Sequence, residues 1–147
     1  MKNFSSTQKA YLAGFLDGDG SIYARLKPNS DYRYGFQIAP YVAFFQSSKD
    51  REHFEKICEM VGTGYLRERN DGILEYVIQR QETIREFLEE IKEHLLLKKE
   101  QADLILEILV KKAQVKSKED FIVLANLVDK FRELNYSKKR KNHILTP

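Results

Sequence analysis

Two aspartates separated by one glycine are the residues of this 147-residue chain best placed to do chemistry. Segment 12–20 reads LAGFLDGDG, in which Asp17 and Asp19 end an apolar helical stretch and Gly18 and Gly20 interrupt it. A carboxylate at the C-terminus of a helix meets the negative end of the helix dipole, so it usually has a compensating cation such as a metal ion. Carboxylate oxygens suit hard divalent ions such as Mg²⁺ or Mn²⁺.

Other interpretations of the same segment stay open. The commonest meaning of a DGDG sequence is a turn that merely ends a helix. A calcium loop of the EF-hand type also begins D-x-D, but it needs glycine where Ile22 stands and glutamate where Pro28 stands, and it is therefore excluded. The small residues Ala13 and Gly14 would let two helix backbones approach closely, either within one chain or between two.

The hydrophobic pattern predicts the elements that position these acids. A first helix, with N-cap candidates at residues 5–7, is followed by strands at 21–27 and 32–45 and a helix near 54–61. A hairpin at 65–69 and 73–79 turns at Asn70-Asp71-Gly72, and helices follow at 84–95, 100–112 and 121–131. Pro40 inside the second strand suggests an edge position or a bulge.

This order of elements predicts the fold class. It indicates an α/β fold of the α+β type, with an αββαββα core and a four-stranded antiparallel, saddle-like sheet. Helices are expected on one face of the sheet, with extra C-terminal helices. No linker divides the chain, so residues 1–147 are predicted to form a single domain, with a core at about 6–112 and a C-terminal helix and basic tail at about 118–147.

Composition excludes several classes of protein. The chain is 42% hydrophobic and 32% charged, as in a folded globular protein. The single cysteine, Cys58, excludes an internal disulfide framework, and the three scattered histidines form no zinc spacing. No apolar run approaches the roughly 20 residues of a membrane span, and the first residues lack a signal peptide. We expect an intracellular protein with no membrane partner.

The net charge of +3, from 25 basic and 22 acidic residues, conceals an uneven distribution. Residues 50–100 carry 13 acidic and 9 basic side chains, whereas both flanking segments have a basic excess. The acidic surplus follows helical periods, and arginines and lysines such as Arg25, Lys27, Arg67 and Arg69 fall in the strands. Arginine and glutamine on a twisted β-ribbon are suited to reading base edges in a major groove, although a solvated sheet face has the same composition.

Segment 12–20 resembles the signature of the LAGLIDADG homing endonucleases, which it matches at six of nine positions. The resemblance extends over most of the chain through YLAGFLDGDGSI, LKPN, GTGYLRER and LLLKKEQADLIL, and it is nearest to the single-motif homodimeric members of algal organelle introns. It implies a homodimeric, sequence-specific homing endonuclease that makes a metal-dependent double-strand cut in a long, near-palindromic DNA site. The alternative is a non-cleaving LAGLIDADG relative, either an RNA maturase acting on an intron or a DNA-binding regulator.

The resemblance also implies roles for individual residues. Asp19 and the Gly18 carbonyl would hold Mg²⁺ or another divalent cation, and Asp19, Gln46, Arg51 and Lys98 would be catalytic. Arg51 lies one residue further along than the family spacing suggests, so Lys49 is the fallback. The dimer would form through Leu12, Ala13, Gly14 and Phe15. Double-stranded DNA would be bound by Tyr23, Arg25, Lys27, Asn29, Tyr32, Arg33, Gln37, Ala43, Arg67, Arg69, Glu75, Val77, Lys138 and Lys141. The compartment would be an organelle, either chloroplast or mitochondrion, or a prokaryotic cytoplasm.

Overall fold

The computed structural model describes residues 3–135, so the predicted contacts of Lys138 and Lys141 lie outside the described residues. The elements are α1 (Ser6–Asp19), β1 (Gly20–Pro28), β2 (Phe36–Ser47), α2 (Arg51–Val61), β3 (Tyr65–Glu68), β4 (Ile73–Ile78), α3 (Gln81–Ile91), α4 (Lys99–Lys112), α5 (Lys118–Asp129) and α6 (Phe131–Leu134). Short 3-10 turns lie before α2 and after α3. The predicted αββαββα order with further C-terminal helices is confirmed. Within residues 3–135, no helix combines the length and apolarity that crossing a bilayer requires.

The four strands form one antiparallel sheet in the order β1-β2-β4-β3. Two hairpins, β1-β2 and β3-β4, therefore meet along the β2–β4 pair, in which Val42 is opposite Ile78 and Ser47 is opposite Ile73. The turn of the second hairpin contains Gly72 with a positive φ of 81°, a conformation that favours glycine. This confirms the hairpin predicted from Asn70-Asp71-Gly72.

One face of the sheet carries the core. α1, α2 and α3 pack on β2, while α4 and α5 pack on β1. The side chains beneath them alternate along the strands and are buried, namely Ile22, Ala24, Leu26, Ile38, Val42, Phe44, Leu74, Tyr76 and Ile78. The opposite face has no helix of the described chain packed on it, so it is the face available to a partner.

The junction between α1 and β1 is unusually tight. α1 begins with a capping box, because the Ser5 hydroxyl accepts from Gln8 N and the Gln8 side chain accepts from Ser5 N. It ends at Asp19, and Gly20 enters β1 directly opposite Phe44. A Cβ at Gly20 would lie 2.9 Å from the Ala43 carbonyl oxygen, so only glycine allows this close approach. The helix therefore delivers Asp19 directly to the end of the sheet.

Two boundary predictions were wrong. The second strand begins at Phe36 rather than at residue 32, because residues 29–35 form a loop in which Tyr34 stacks on Phe121 of α5. The predicted last helix is broken at Lys130 into α5 and α6, although Phe131 is buried as its hydrophobic period predicted.

Pro40 does not mark an edge strand. β2 is central in the sheet, and Pro40 is opposite Ala24 of β1. The pairing of β2 with β4 begins only at Val42, so Pro40 lies where that side of β2 has no ladder partner. A residue without a backbone N–H is tolerated at such a position.

Candidate functional site

The open face of the sheet forms a groove of about 440 Å³. Most of its lining comes from side chains that alternate with the core residues on all four strands. Those on the open face of the strands include Tyr23, Arg25, Lys27, Gln37, Ala39, Tyr41, Tyr65, Arg67, Glu75 and Val77, and Gln79 follows the end of β4. Seven of the residues predicted to bind DNA, namely Tyr23, Arg25, Lys27, Gln37, Arg67, Glu75 and Val77, therefore line one surface.

Two of the predicted DNA contacts are corrected by their burial. Ala43 and Val77 are opposite each other on the central strands β2 and β4, and each is 1% exposed or less. Because their side chains have almost no free surface, they cannot present a direct contact to a base. They form the floor of the groove instead.

Glu75 is a buried carboxylate on the groove floor that orients two arginines. Its exposed fraction is 5%, and it accepts hydrogen bonds from Arg67 Nε at 2.9 Å and Arg69 Nη1 at 3.4 Å. The hydrogen bond with Glu75 raises the pKa of Arg67. A buried charge is tolerated when it is paired in this way. Glu75 thus fixes Arg67 through Nε and leaves both Nη groups of that guanidinium for another partner.

The β1–β2 loop is not part of the groove. Asn29 Oδ1 accepts from Asp31 N within the loop, and the Arg33 guanidinium lies 5.4 Å from the ring centroid of Tyr34. Tyr32 and Arg33 border a separate small hollow that includes Phe121 of α5. The predicted DNA contacts of Asn29, Tyr32 and Arg33 are therefore placed beside the sheet, at the loop end of the β1–β2 hairpin.

Asp19 lies at the other end of that hairpin, exposed and without a hydrogen bond or ion pair to another residue of the described chain. Gly20 pairs with Phe44, so Gln46 on β2 is only two residues beyond the position opposite the start of β1. The Gln46 side chain accepts from Ser47 N at 2.9 Å, which holds it at the end of β2. The register thus brings the predicted catalytic residues Asp19 and Gln46 to the same end of the sheet.

The first acid of the signature, Asp17, has a role that the sequence analysis missed. Its two carboxylate oxygens accept from the backbone amides of Leu96 (2.8 Å) and Lys98 (3.0 Å), and its carbonyl oxygen accepts from Lys98 Nζ at 2.7 Å. Asp17 therefore fastens the segment before α4 to the end of α1. Its place at a helix C-terminus was the available signal, because an acid there requires donors from elsewhere.

This clamp brings Lys98 beside Asp19. Burial lowers the pKa of Lys98, and the negative charges of Asp17 and Asp19 oppose that shift. The ammonium is thus partly withdrawn from water next to the free carboxylate of the signature. Lys98 and Asp19, which were both predicted to be catalytic, therefore lie at the same end of α1.

Arg51 is engaged elsewhere. Its guanidinium donates to Glu68 at 2.7 Å and to Glu55 at 3.5 Å, and the bond with Glu68 is the main cause of its raised pKa. Lys49, the fallback, is exposed at the turn that follows Gln46 and forms no ion pair within residues 3–135. Of these two cations, Lys49 is therefore the one whose side-chain charge is not paired within the described residues.

The choice between these two cations can be tested by paired substitutions. We expect Arg51→Ala to lower the free energy of unfolding by less than about 1 kcal/mol, because exposed ion pairs contribute little. Cleavage of a selected DNA site should change less than about twofold for Arg51→Ala and fall at least about tenfold for Lys49→Ala. Single-turnover cleavage rates measure this, and the reverse order of the two variants would restore Arg51 as the catalytic cation.

The donor set at Asp19 fits a hard divalent cation. No cluster of three or more histidine, cysteine or carboxylate side chains occurs among residues 3–135. The available groups are the unpaired Asp19 carboxylate and the carbonyl of Gly18, both oxygen donors in an exposed position. Mg²⁺ typically keeps several waters and takes only one or two carboxylates plus phosphate oxygens. One chain thus offers part of a coordination shell that a phosphate and a second carboxylate would complete.

The predicted dimer residues fall on two sides of α1. Leu12 and Ala13 are completely buried in the chain's own core, and Phe15 packs on Phe44 and Phe54, so these side chains hold α1 to the sheet. Gly14 is exposed, and its role at an interface stays a prediction. The surface offered to a second chain therefore excludes Leu12 and Ala13.

The exposed strip of α1 consists of Ala10, Tyr11, Gly14 and Gly18, at helical spacing. A Cβ at Gly14 or Gly18 would meet nothing within 4 Å, so nothing in the described chain requires glycine at these positions. Tyr11 is half exposed, and Leu96 and Leu97, in the segment that Asp17 clamps, are 87% and 70% exposed. Bare backbone and apolar side chains thus lie together near the end of α1.

The LAGLIDADG endonuclease family matches residues 12–113. The chain is also 36% identical over 132 residues to the DNA endonuclease I-CreI of Chlamydomonas reinhardtii, covering 89% of this chain and 80% of that protein. It belongs to the LAGLIDADG endonuclease family. The DNA endonuclease I-CvuI of Chlorella vulgaris is 34% identical over 139 residues, which are 94% of this chain and 86% of that protein.

Solved structures agree with this family membership. A crystal structure of I-CvuI in complex with the I-CreI target, in the presence of 2 mM Mg with the DNA not cleaved, aligns with a TM-score of 0.85 and 33% identity. The alignment covers 92% of this chain and 86% of that chain. The archaeal intron-encoded homing endonuclease I-Vdi141I, complexed with DNA, shares the fold at a TM-score of 0.79 and 22% identity, covering 95% and 90%. The LAGLIDADG fold predicted from segment 12–20 is confirmed.

Proposed function

We propose that this chain is a sequence-specific DNA endonuclease of the homing type that acts as a homodimer and requires a divalent cation. The observation that carries the proposal is the free Asp19 carboxylate at the end of a groove lined by Arg25, Lys27 and Arg67, with Lys98 clamped beside it. Basic and amide side chains along the groove suit DNA, and a free acid beside a cation suits phosphodiester hydrolysis.

The residues at the end of the groove would have different roles in hydrolysis. Asp19 and the Gly18 carbonyl would hold Mg²⁺ or another divalent cation such as Mn²⁺, which supplies charge neutralisation at the phosphate and a more acidic bound water. Gln46, at the end of β2, would orient the attacking water through its side-chain amide. Lys98 would stabilise negative charge that develops on the phosphate, because its partly buried ammonium acts in a weakened dielectric.

A second copy of the chain explains a double-strand cut. One chain carries one Asp19, whereas two DNA strands present two scissile phosphates. Packing of the α1 strips around a two-fold axis would bring two copies of Asp19 together, and such an isologous contact uses the same patch on both chains. The bare backbone at Gly14 and Gly18 allows the close approach that this requires.

The length of the strands sets the length of the target. β1 has nine residues, which at about 3.3 Å per residue span about 30 Å. DNA rises about 3.4 Å per base pair, so one chain would follow about nine base pairs. A two-fold dimer would then cover a near-palindromic site of roughly 20 base pairs. We propose that residues 1–147 act as one domain in this unit, inside the cell and in an organelle or a prokaryotic cytoplasm.

Selection from a randomised library of long DNA duplexes tests this function. With Mg²⁺ the purified protein should cut a near-palindromic subset on both strands, and EDTA should reduce cutting by more than about a hundredfold because the cation is removed. Restoring Mg²⁺ should recover the rate, which is the control for damage by the chelator. Binding without cutting would instead support the alternative, a maturase or a DNA-binding regulator, and cutting that survives EDTA would contradict the metal requirement.

A further inference from the structure

Tyr41 lies on β2 in the centre of the groove, between β1 and β4. Its ring lies 4.6 Å, centroid to centroid, from that of Tyr23, the residue opposite it on β1. Its hydroxyl donates to Glu75 Oε2 at 3.3 Å, across to β4. The side chain therefore links three elements of the groove floor, and both of these contacts restrict its rotation.

The chemistry of Glu75 decides the direction of that hydrogen bond. A carboxylate accepts and has no proton to donate, and Glu75 is also contacted by the guanidinium groups of Arg67 and Arg69. Tyr41 must therefore be the donor. Burial, followed by the charge of Glu75, raises the pKa of Tyr41, so its hydroxyl keeps its proton at neutral pH.

A hydroxyl has one proton and two lone pairs. Since the proton of Tyr41 is directed to Glu75, only the lone pairs of the phenolic oxygen remain for a ligand. Tyr41 borders the groove, so this oxygen is placed where a base edge would pass. The three cationic neighbours in the groove, Arg25, Lys27 and Arg67, have the opposite polarity, because arginine and lysine can only donate.

We propose that Tyr41 is a specificity-determining residue that presents a hydrogen-bond acceptor to the major groove and selects an exocyclic amino group there. The inference rests on the proposed function and names one determinant of its target. In the major groove only adenine N6 and cytosine N4 carry such amino groups, whereas guanine and thymine present acceptors. Each half-site should therefore contain one position at which adenine or cytosine is preferred because of Tyr41.

The experiment combines a side-chain deletion with a base-edge deletion. Equilibrium binding to the selected site is measured for the wild type and for Tyr41→Phe, which lacks the hydroxyl and keeps the ring beside Tyr23. At every adenine or cytosine of the half-site, the base is replaced in turn by purine or 2-pyrimidinone, which lack the amino group. Tyr65→Phe is the matched control. It also removes a hydroxyl from the groove, but the hydroxyl of Tyr65 forms no hydrogen bond with Glu75.

We expect one position at which loss of the amino group weakens wild-type binding about three- to tenfold, the effect of one hydrogen bond. At that position the analogue should not weaken Tyr41→Phe further, whereas Tyr65→Phe should respond like the wild type. Equal sensitivity of Tyr41→Phe and the wild type at every position would overturn the inference. If Tyr41→Phe does not fold, the wild type alone still tests the inference. Wild-type binding that is unaffected by every amino-group deletion would overturn it.

These outcomes are distinct from failure of the proposed function. A wild-type protein that binds and cuts a selected site, with no Tyr41-dependent position, would remove the inference and leave the endonuclease in place. A wild-type protein that selects no DNA at all would remove both.

Discussion

Asp19→Asn should abolish DNA cleavage and leave DNA binding intact. The substitution replaces a carboxylate by an amide of nearly the same shape, and the amide is a much weaker ligand for a hard divalent cation. We expect the single-turnover cleavage rate to fall by more than about a thousandfold, equivalent to about 4 kcal/mol of transition-state stabilisation. Affinity for the selected site should be unchanged or tighter, because one negative charge leaves the DNA-facing surface.

The control for this variant is Asp103→Asn, which makes the same change of charge at an exposed position on α4. It should cut at the wild-type rate. Thermal unfolding should also be the same for both variants and the wild type within a few degrees, since neither acid forms an ion pair in the described chain. Cleavage by Asp19→Asn within tenfold of the wild type would contradict the assignment of Asp19 as the metal-binding acid.

Gly14→Leu should prevent the proposed dimer from forming without unfolding the chain. A Cβ at position 14 meets nothing within 4 Å in one chain, and an exposed helical glycine is about 1 kcal/mol less favourable than alanine. The substitution should therefore not destabilise the single chain. In a dimer joined through the α1 strips, however, the leucine would hold the two backbones apart, and we expect the dissociation constant to rise at least about a hundredfold.

Sedimentation at micromolar concentration measures this change, together with the ratio of double-strand cuts to nicks. Asn126→Leu, on the exposed side of α5, is the matched control for added apolar surface and should remain dimeric. Gly14→Ala should lie between the wild type and Gly14→Leu. If Gly14→Leu sediments like the wild type, the two-fold contact does not pass through this strip of α1.

The two acids of the signature show how one short motif serves two purposes. Asp17 and Asp19 are separated by a single residue, so at the end of α1 they point in different directions. The carboxylate of Asp17 accepts hydrogen bonds from the backbone amides of Leu96 and Lys98, while the carboxylate of Asp19 has no such partner in the described chain. The clamp at Asp17 is what places Lys98 beside Asp19, although these residues are almost 80 positions apart in the chain.

On the groove floor, one carboxylate also holds several side chains in place. In the sequence Glu75 is only an acidic residue close to several basic residues. In the structure it is the common acceptor for Arg67, Arg69 and Tyr41. Replacing it would release the guanidinium of Arg67 and the phenol of Tyr41 together, while Arg69 would keep its ion pair with Asp71 at 2.7 Å. Base preference at several positions of the target should therefore be coupled through Glu75 rather than set residue by residue.

Much of this protein could be predicted from local patterns in its sequence. The alternation along β1 and β4 placed Arg25 and Lys27 on one face and Ile22 and Leu26 on the other, because successive side chains of a strand point to opposite sides. The LAGFLDGDG segment identified the family and the free acid. The hydrophobic periods that predicted helices near 54–61 and 84–95 include Phe54 and Phe87, and both residues are buried.

Other features depended on contacts between segments that are distant in sequence. No local pattern predicts that Arg51 pairs with Glu68. Nor does any local pattern predict that Leu12 and Ala13 are buried in the chain's own core, or that the side chain of Ala43 is buried. The role of Asp17 likewise follows from its partners in the segment before α4, and the role of Tyr41 follows from its partner on β4. The sequence by itself determined the family, the order of the elements and the polarity of each strand face, since these follow from short-range periodicity. Only the tertiary structure decided which charged groups are paired and which remain free, because pairing depends on distances that folding alone creates.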